Sequence, residues 1–309
     1  MAALTDVISM KPFSREEIEA ILDLSLTFEE VARGVKDSQL LAGKVLCTLF
    51  YEPSTRTRLS FESAMLRLGG KLMSVADAAK TSSAWKGETI ADIVRTIENY
   101  ADVIAIRHPI AGAAEEAAKY ASIPILNAGD DANEHPTQAL LDLLTIRRER
   151  GRIDGLNIAI VGDHKYSRVT RSLAYGLAHY DVNVTLVNPP SLALPRDTLE
   201  EARKGRATFE ETDDIQKALG KADVVYIFRI QRERLPAKEY DRVKGSYVID
   251  RAILEKTGRE ITLMHPMPRV GELLEDVDSY PGACYFRQSF NGVLVRMALL
   301  ALVLGKAQI

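Results

Sequence analysis

The chain has 309 residues, 46% hydrophobic and 27% charged, a globular composition long enough for two cores. Its net charge of −3 and pI near 6.0 exclude a broadly basic surface for nucleic acid or anionic membrane, so an anionic ligand would have to be met by local cations. Cys47 and Cys284 lack metal-ligand spacing and read as packed, reduced thiols of a cytoplasmic protein, with no metal expected.

Met1 to Asp6 has neither the basic region nor the apolar core of a signal peptide. Ser14-Arg15-Glu16-Glu17 has the form of a capping box, and Ile18, Ile21 and Leu22 continue it as an amphipathic helix. Val45 to Phe50 reads as a buried strand that Pro53 ends. Ser54 or Thr55 then caps a helix with Phe61, Met65 and Leu68 on one face, closed by Gly69-Gly70. Its first turn crowds Ser54, Thr55, Arg56, Thr57 and Arg58 around unpaired backbone N–H groups. Cations there oppose the helix dipole, whereas a phosphate would satisfy all of these donors together. An ordinary capped helix with solvated arginines is the bland alternative, and two hydroxyl–Arg pairs in succession argue against it.

Lys71 to Val75 reads as a second strand, followed by a polar loop from Ala76 to Gly87 that holds the only Trp, Trp85, together with Lys86. Without apolar periodicity the loop is either a surface excursion or a lid that carries Lys86 to an anion. A helix from Thr89 to Tyr100, a strand Val103 to Ile106, a helix Ala113 to Tyr120 and a strand Ile123 to Asn127 follow. Arg107 closes the first of these strands. His135-Pro136-Thr137-Gln138 opens the next helix, with Pro136 at its first position.

The charged run Arg147 to Arg152 marks a domain boundary, placed at 149/150. The pattern then restarts with strands at Ile158 to Val161, Asn183 to Val187, Thr208 to Glu210, Val224 to Ile227, Tyr247 to Ile249 and Ile261 to Met264. The apolar segment Val293 to Leu304 is too short to span a bilayer and contains Arg296, so it is expected as a core helix. Alternating strands and helices predict an α/β fold of two doubly wound parallel-sheet domains. Ligands of such sheets bind beyond the carboxyl ends of the strands. Ser54 to Arg58, Arg107, His135, Arg168, Arg229 and His265 to Arg269 all fall there, which predicts one cleft between the domains for a substrate rich in negative charge. The turn Gly162-Asp163-His164-Lys165 lacks a G-x-G-x-x-G pattern, which argues against a dinucleotide-dependent oxidoreductase. A non-catalytic anion-binding protein is the other alternative.

Over essentially its whole length the chain resembles the carbamoyltransferase family. Ser54-Thr55-Arg56-Thr57-Arg58 matches its carbamoyl phosphate signature, and His135-Pro136-Thr137-Gln138 its second marker. Ser82 to Glu88, Arg229 to Gln231, and Pro266 where the ornithine branch carries Cys, make it similar to the aspartate branch. Ser167 before Arg168, Met267 and Gly271 depart from the pattern seen there. The resemblance implies transfer of the carbamoyl group from carbamoyl phosphate to L-aspartate, an early step of pyrimidine synthesis, with no cofactor. It implies that residues 1–149, completed by a C-terminal helix at 290–309, bind carbamoyl phosphate and that 150–289 bind aspartate. Thr57, Arg107 and His135 would polarise the carbamoyl oxygen. Ser54, Thr55, Arg56 and Thr57 would hold the phosphate, with Ser82 and Lys86 reaching it from a neighbouring subunit of a homotrimer. Gln138 and the backbone at Pro266, Met267 and Pro268 would hold the carbamoyl NH₂. Lys86, Arg168, Arg229 and Gln231 would meet the aspartate. A regulatory chain or a dihydroorotase is the partner class such enzymes allow.

Overall fold

Two parallel sheets organise the computed structural model, which describes residues 4–82 and 86–309. Residues 83–85, including Trp85 of the expected polar loop, and residues 1–3 lie outside the described residues. The chain divides into a unit of Met1–Leu141 with Phe290–Ile309 and a unit of Asp142–Ser289.

In the first unit the sheet runs β2-β1-β3-β4, with β1 Val45–Phe50, β2 Lys71–Ala76, β3 Val103–His108 and β4 Ile125–Asp130. The two inner strands are almost wholly buried, so they read as continuous apolar runs. Helices α1 Arg15–Thr27, α2 Glu29–Ala32, α3 Thr55–Arg67, α4 Ala78–Thr81, α5 Ile90–Ile97 and α6 Ala113–Tyr120 flank the strands in sequence, followed by α7 Pro136–Arg150. The capping box forms: Ser14 accepts from the Glu17 N–H, and Glu17 accepts in return from the Ser14 N–H. On α3 the buried face is Thr57, Phe61, Ala64 and Met65, and burial of Phe61 alone is worth about 2–3 kcal/mol.

The stretch after β2 differs from a featureless loop. Ala78 packs with Cys47, Leu49 and Tyr51, so one small side chain anchors a helical turn. Thr81 Oγ1 donates to the Ala76 carbonyl at 2.8 Å and Ser82 Oγ to the Ala78 carbonyl at 2.6 Å. Both hydroxyls thus donate to backbone carbonyls at the ends of this short helix, the Ala78 carbonyl accepting the Ser82 N–H as well, at 3.1 Å.

The second unit holds β5 Asn157–Val161, β6 Asn183–Val187, β7 Thr208–Thr212, β8 Val224–Ile227 and β9 Thr262–Met264 in the order β7-β6-β5-β8-β9. Its helices are α8 Arg168–Leu177, α9 Arg196–Ala202, α10 Ile215–Leu219, α11 Ala237–Val243 and α12 Arg251–Lys256. The strand expected at Tyr247 to Ile249 is only an isolated bridge from Ile249 to Leu273. Tyr247 and Ile249 are apolar because they enter the core, a demand that three residues cannot distinguish from pleating.

The C-terminal helix α13, Tyr285–Val303, begins earlier than the sequence predicts and reaches 19 residues. That length and its hydropathy would suffice to cross a membrane, but 72% of its apolar window is buried inside the protein. Burial, rather than shortness, marks it as a core helix. Arg296 is tolerated there because its guanidinium donates to Thr137 Oγ1 at 3.1 Å and lies over the Phe61 ring at 4.9 Å. The limits of the two units fall inside α7 and α13, eight residues before the expected boundary in the first case.

Candidate active site

Each sheet reverses its winding once, and several of the polar residues singled out from sequence stand at the strand ends beside those two places. In the first unit the reversal lies between β1 and β3, where Phe50 pairs in register with Arg107. The Tyr51 N–H donates to the Arg107 carbonyl at 2.9 Å, which carries the pairing one residue beyond the strand. Ser54 is the N-cap of α3 by position, yet its side chain makes no capping hydrogen bond. The hydroxyl expected to cap the helix is therefore not used as a cap, while Arg58 on the same turn donates to Ser74 at 3.3 Å and stands 3.9 Å from Glu62.

Thr57 and His135, 78 residues apart, are brought together: Thr57 Oγ1 lies 3.5 Å from His135 Nε2, and both residues are buried. Arg107 donates to the Ala128 carbonyl at 3.3 Å and pairs with Glu52 at 3.5 Å. Gln138 is half-buried one turn along α7, where its N–H donates to the His135 carbonyl at 2.9 Å. Thr55 and Arg56 face solvent, and Lys86 is exposed beyond β2. The His135 turn is fixed from below. Asp130 accepts from Asn127, Gly112, Asn133 and Glu134, while the Glu134 carboxylate takes the Met10 N–H and the Ser9 hydroxyl. His108 stacks edge-on against Tyr51, and burial lowers its pKa, so it stays neutral.

In the second unit the reversal lies between β5 and β8, and a cavity of about 400 Å³ opens beside it. Gly162, Phe228, Arg229, Tyr240, Gly271 and Glu272 are among its lining residues. The Arg229 guanidinium donates to both carboxylate oxygens of Glu233, which raises the Arg229 pKa and lowers that of Glu233. Gln231 is held by its side chain on the Tyr166 carbonyl, 3.0 Å, and by its N–H on Asp163, 3.4 Å. Arg168 opens α8 behind its N-cap Ser167, whose hydroxyl accepts from the Thr170 N–H at 3.1 Å. Ser167, which departs from the family pattern, thus supplies the cap.

At the end of β9 the His265 Nδ1 accepts from the Met267 N–H at 2.8 Å, so Nε2 carries the proton shared with Glu272, also at 2.8 Å. This clamp holds the half-buried Met267 at φ +57, with a cis bond to Pro268. An unbranched side chain tolerates that left-handed backbone only at a cost, which such clamps offset. Glu52, Asp163, Glu233 and Glu272 were not singled out from sequence. Only Glu233 carried a signal, its i, i+4 spacing from Arg229.

Two family descriptions match successive parts of the chain: the carbamoyl-P binding domain of aspartate/ornithine carbamoyltransferase over residues 5–148, and its Asp/Orn binding domain over 154–303. The chain belongs to the aspartate/ornithine carbamoyltransferase family. Within that family it is 52% identical to the aspartate carbamoyltransferase catalytic subunit of Thermococcus onnurineus, over 97% of each chain. Among solved structures it resembles the catalytic subunit of M. jannaschii aspartate transcarbamoylase, with a TM-score of 0.89 and 48% identity over 98% of each chain. It also resembles the aspartate transcarbamoylase of Trypanosoma cruzi in complex with carbamoyl phosphate and aspartate. There the TM-score is 0.92 and the identity 38%, over 97% of this chain and 96% of that one. The carbamoyltransferase signature Ser54 to Arg58 is thus the stretch that starts α3 at the reversal of the first sheet.

Proposed function

We propose that this chain transfers the carbamoyl group of carbamoyl phosphate to the amine of L-aspartate, giving N-carbamoyl-L-aspartate and phosphate. The observation that carries the reading is the Thr57–His135 pair at 3.5 Å, buried in the unit whose β3 carries Arg107 near its end and whose Ser54 hydroxyl is not used as a cap. The amine attacks the carbamoyl carbon, and negative charge grows on the carbamoyl oxygen. Thr57, Arg107 and His135 are the donors for that oxygen, and losing one such donor costs about 3 kcal/mol, on the order of a hundredfold in rate.

Ser54, Thr55, Arg56 and Thr57 bind the phosphate, whose departure their positive field favours. Gln138 and the carbonyls of Pro266 and Met267 hold the NH₂, with Pro268 beside them; the fixed Met267 backbone supports that role. Arg168, Arg229 and Gln231 hold the aspartate, and the cavity beside Arg229 supports a second substrate there. The amine is itself the nucleophile, so none is needed from the protein, and its proton passes to the departing phosphate, so no protein residue is assigned as general base. In this reading residues 1–149 with the helix at 290–309 form the carbamoyl phosphate domain and 150–289 the aspartate domain.

Ser82 and Lys86 complete the phosphate site of a neighbouring chain in a homotrimer that acts in the cytoplasm, a compartment consistent with buried free thiols at Cys47 and Cys284. A regulatory chain or a dihydroorotase is the partner class for such an assembly. The test is phosphate release from carbamoyl phosphate with aspartate or ornithine as acceptor. Aspartate should be carbamoylated far faster; equal or better turnover of ornithine would overturn the assignment.

A further inference from the structure

The second unit contains a buried histidine that no step above employs. His164 follows Asp163 just beyond β5 and is 1% exposed. Its Nδ1 lies 3.2 Å from Thr170 Oγ1 on the first turn of α8. Its backbone N–H and that of Lys165 both donate to the Leu192 carbonyl at 3.1 Å, which fixes the loop from outside. Its ring meets Phe228 edge-on with centroids 5.6 Å apart, and Phe228 immediately precedes Arg229. The Thr170 N–H in turn donates to the Ser167 cap. One imidazole therefore touches the two segments that carry Arg168 and Arg229.

Burial lowers the imidazole to about 3, so it is neutral, with one nitrogen that donates and one that accepts. A hydroxyl can serve either tautomer, which makes threonine a fitting partner. An apolar residue would fill the same volume without directing the helix start. A buried polar pair instead fixes one orientation, because either group left alone carries its full desolvation cost.

We propose that His164 is a positioning residue for the second substrate: its pair with Thr170 sets the first turn of α8, and its contact with Phe228 sets the end of β8, so that Arg168 and Arg229 stand ready for the carboxylates. The inference rests on the proposed function, which assigns those arginines to aspartate. Guanidiniums already in place do not lose orientational freedom on binding, so the gain falls on aspartate affinity.

Steady-state kinetics of the full chain test this with Thr170→Val, His164→Leu and the conservative Thr170→Ser. Each of the first two should raise the KM for aspartate roughly tenfold, the equivalent of one lost buried hydrogen bond. The KM for carbamoyl phosphate and kcat should stay within about twofold, and Thr170→Ser should restore the aspartate KM. A wild-type chain inactive with aspartate would overturn the function and the inference together. An active wild type whose folded variants keep its aspartate KM, or lose affinity for both substrates alike, overturns the inference alone. Two variants that yield no folded chain would make His164 a stability residue and overturn it as well.

Discussion

Arg229 shows how a single side chain is kept ready. Its guanidinium is only partly exposed and holds Glu233 in a two-pronged pair, so its charge is neutralised within the chain before any substrate arrives. A substrate carboxylate would have to share or displace Glu233, and the planar guanidinium has enough donors for sharing. Arg229→Ala should therefore weaken aspartate binding by about 2–5 kcal/mol while leaving carbamoyl phosphate binding to the free enzyme nearly unchanged. Calorimetry checks this, and an equal loss for carbamoyl phosphate would remove Arg229 from the second site. His164 makes a prediction of another kind. Its folded pKa of about 3 lies below the ordinary 6.5, so under acid the unfolded chain gains a proton that the folded chain refuses. Its contribution to stability is complete above pH 6.5 and is lost as pH falls towards 3, by about 1.4 kcal/mol per unit. Urea unfolding at neutral and mildly acidic pH should show this fall, and His164→Leu should lessen it. An unchanged pH slope in that variant would mean that the buried imidazole is protonated without penalty.

At the scale of elements, the second site depends on how closely β5 and β8 finish. Gly162 follows β5 at φ +138, a backbone region that favours glycine, and a Cβ there would stand 2.4 Å from the Phe228 carbonyl oxygen. That atom is backbone, so it cannot swing aside as the end of a flexible side chain would. Gly162→Ala should push the end of β8 outward, lower stability by about 1–3 kcal/mol and weaken aspartate binding by moving Arg229. Thermal unfolding and calorimetry on the same variant separate the two effects. Loss of stability with intact aspartate affinity would show that the β5–β8 spacing does not set Arg229. In the first unit the corresponding device is the β1–β3 register. It places Arg107 opposite Phe50 and so beside the chain that leads into α3. The helix start then needs no adjustment, since the Ser54 hydroxyl is not consumed as a cap.

At the scale of the whole molecule, the position of Lys86 is the informative feature. It is exposed, and the turn before it is tied down by Ala78 in the core and by the Ser82 hydroxyl on the Ala78 carbonyl. In the proposed homotrimer this exposed cation serves the phosphate site of a neighbouring chain. Arg56→Ala and Lys86→Gln, each nearly inactive alone, should complement one another when dissociated, mixed equally and reassembled. A head-to-tail ring has one site per boundary, and each side is intact half the time, so about a quarter of the boundaries regain both groups. Mixed rings no more active than the parents would show that every chain builds its own site.

The sequence by itself determined the local chemistry. The Ser14–Glu17 capping box, most strand positions, Pro136 at the first turn of α7 and the start of α3 just after Pro53 all follow from neighbours in the chain. The resemblance carried by Ser54 to Arg58 and His135 to Gln138 added the family, because short motifs preserve the order of residues that meet in space. What tertiary structure decided are the pairings between distant residues, for which local periodicity holds no signal. Thr57 meets His135 because β1 and β4 end on the same side of one parallel sheet. Tyr247 to Ile249 looked like a strand because burial and pleating ask for the same residues, and what separates them is that the pairing stops at the single bridge from Ile249 to Leu273. Glu52, Asp163 and Glu272 became visible only in the fold, since a carboxylate's role depends on which cation or N–H group stands opposite it. The His164–Thr170 pair was hidden for the same reason: burial, which no six-residue spacing reveals, is what turns an ordinary imidazole and hydroxyl into a fixed contact.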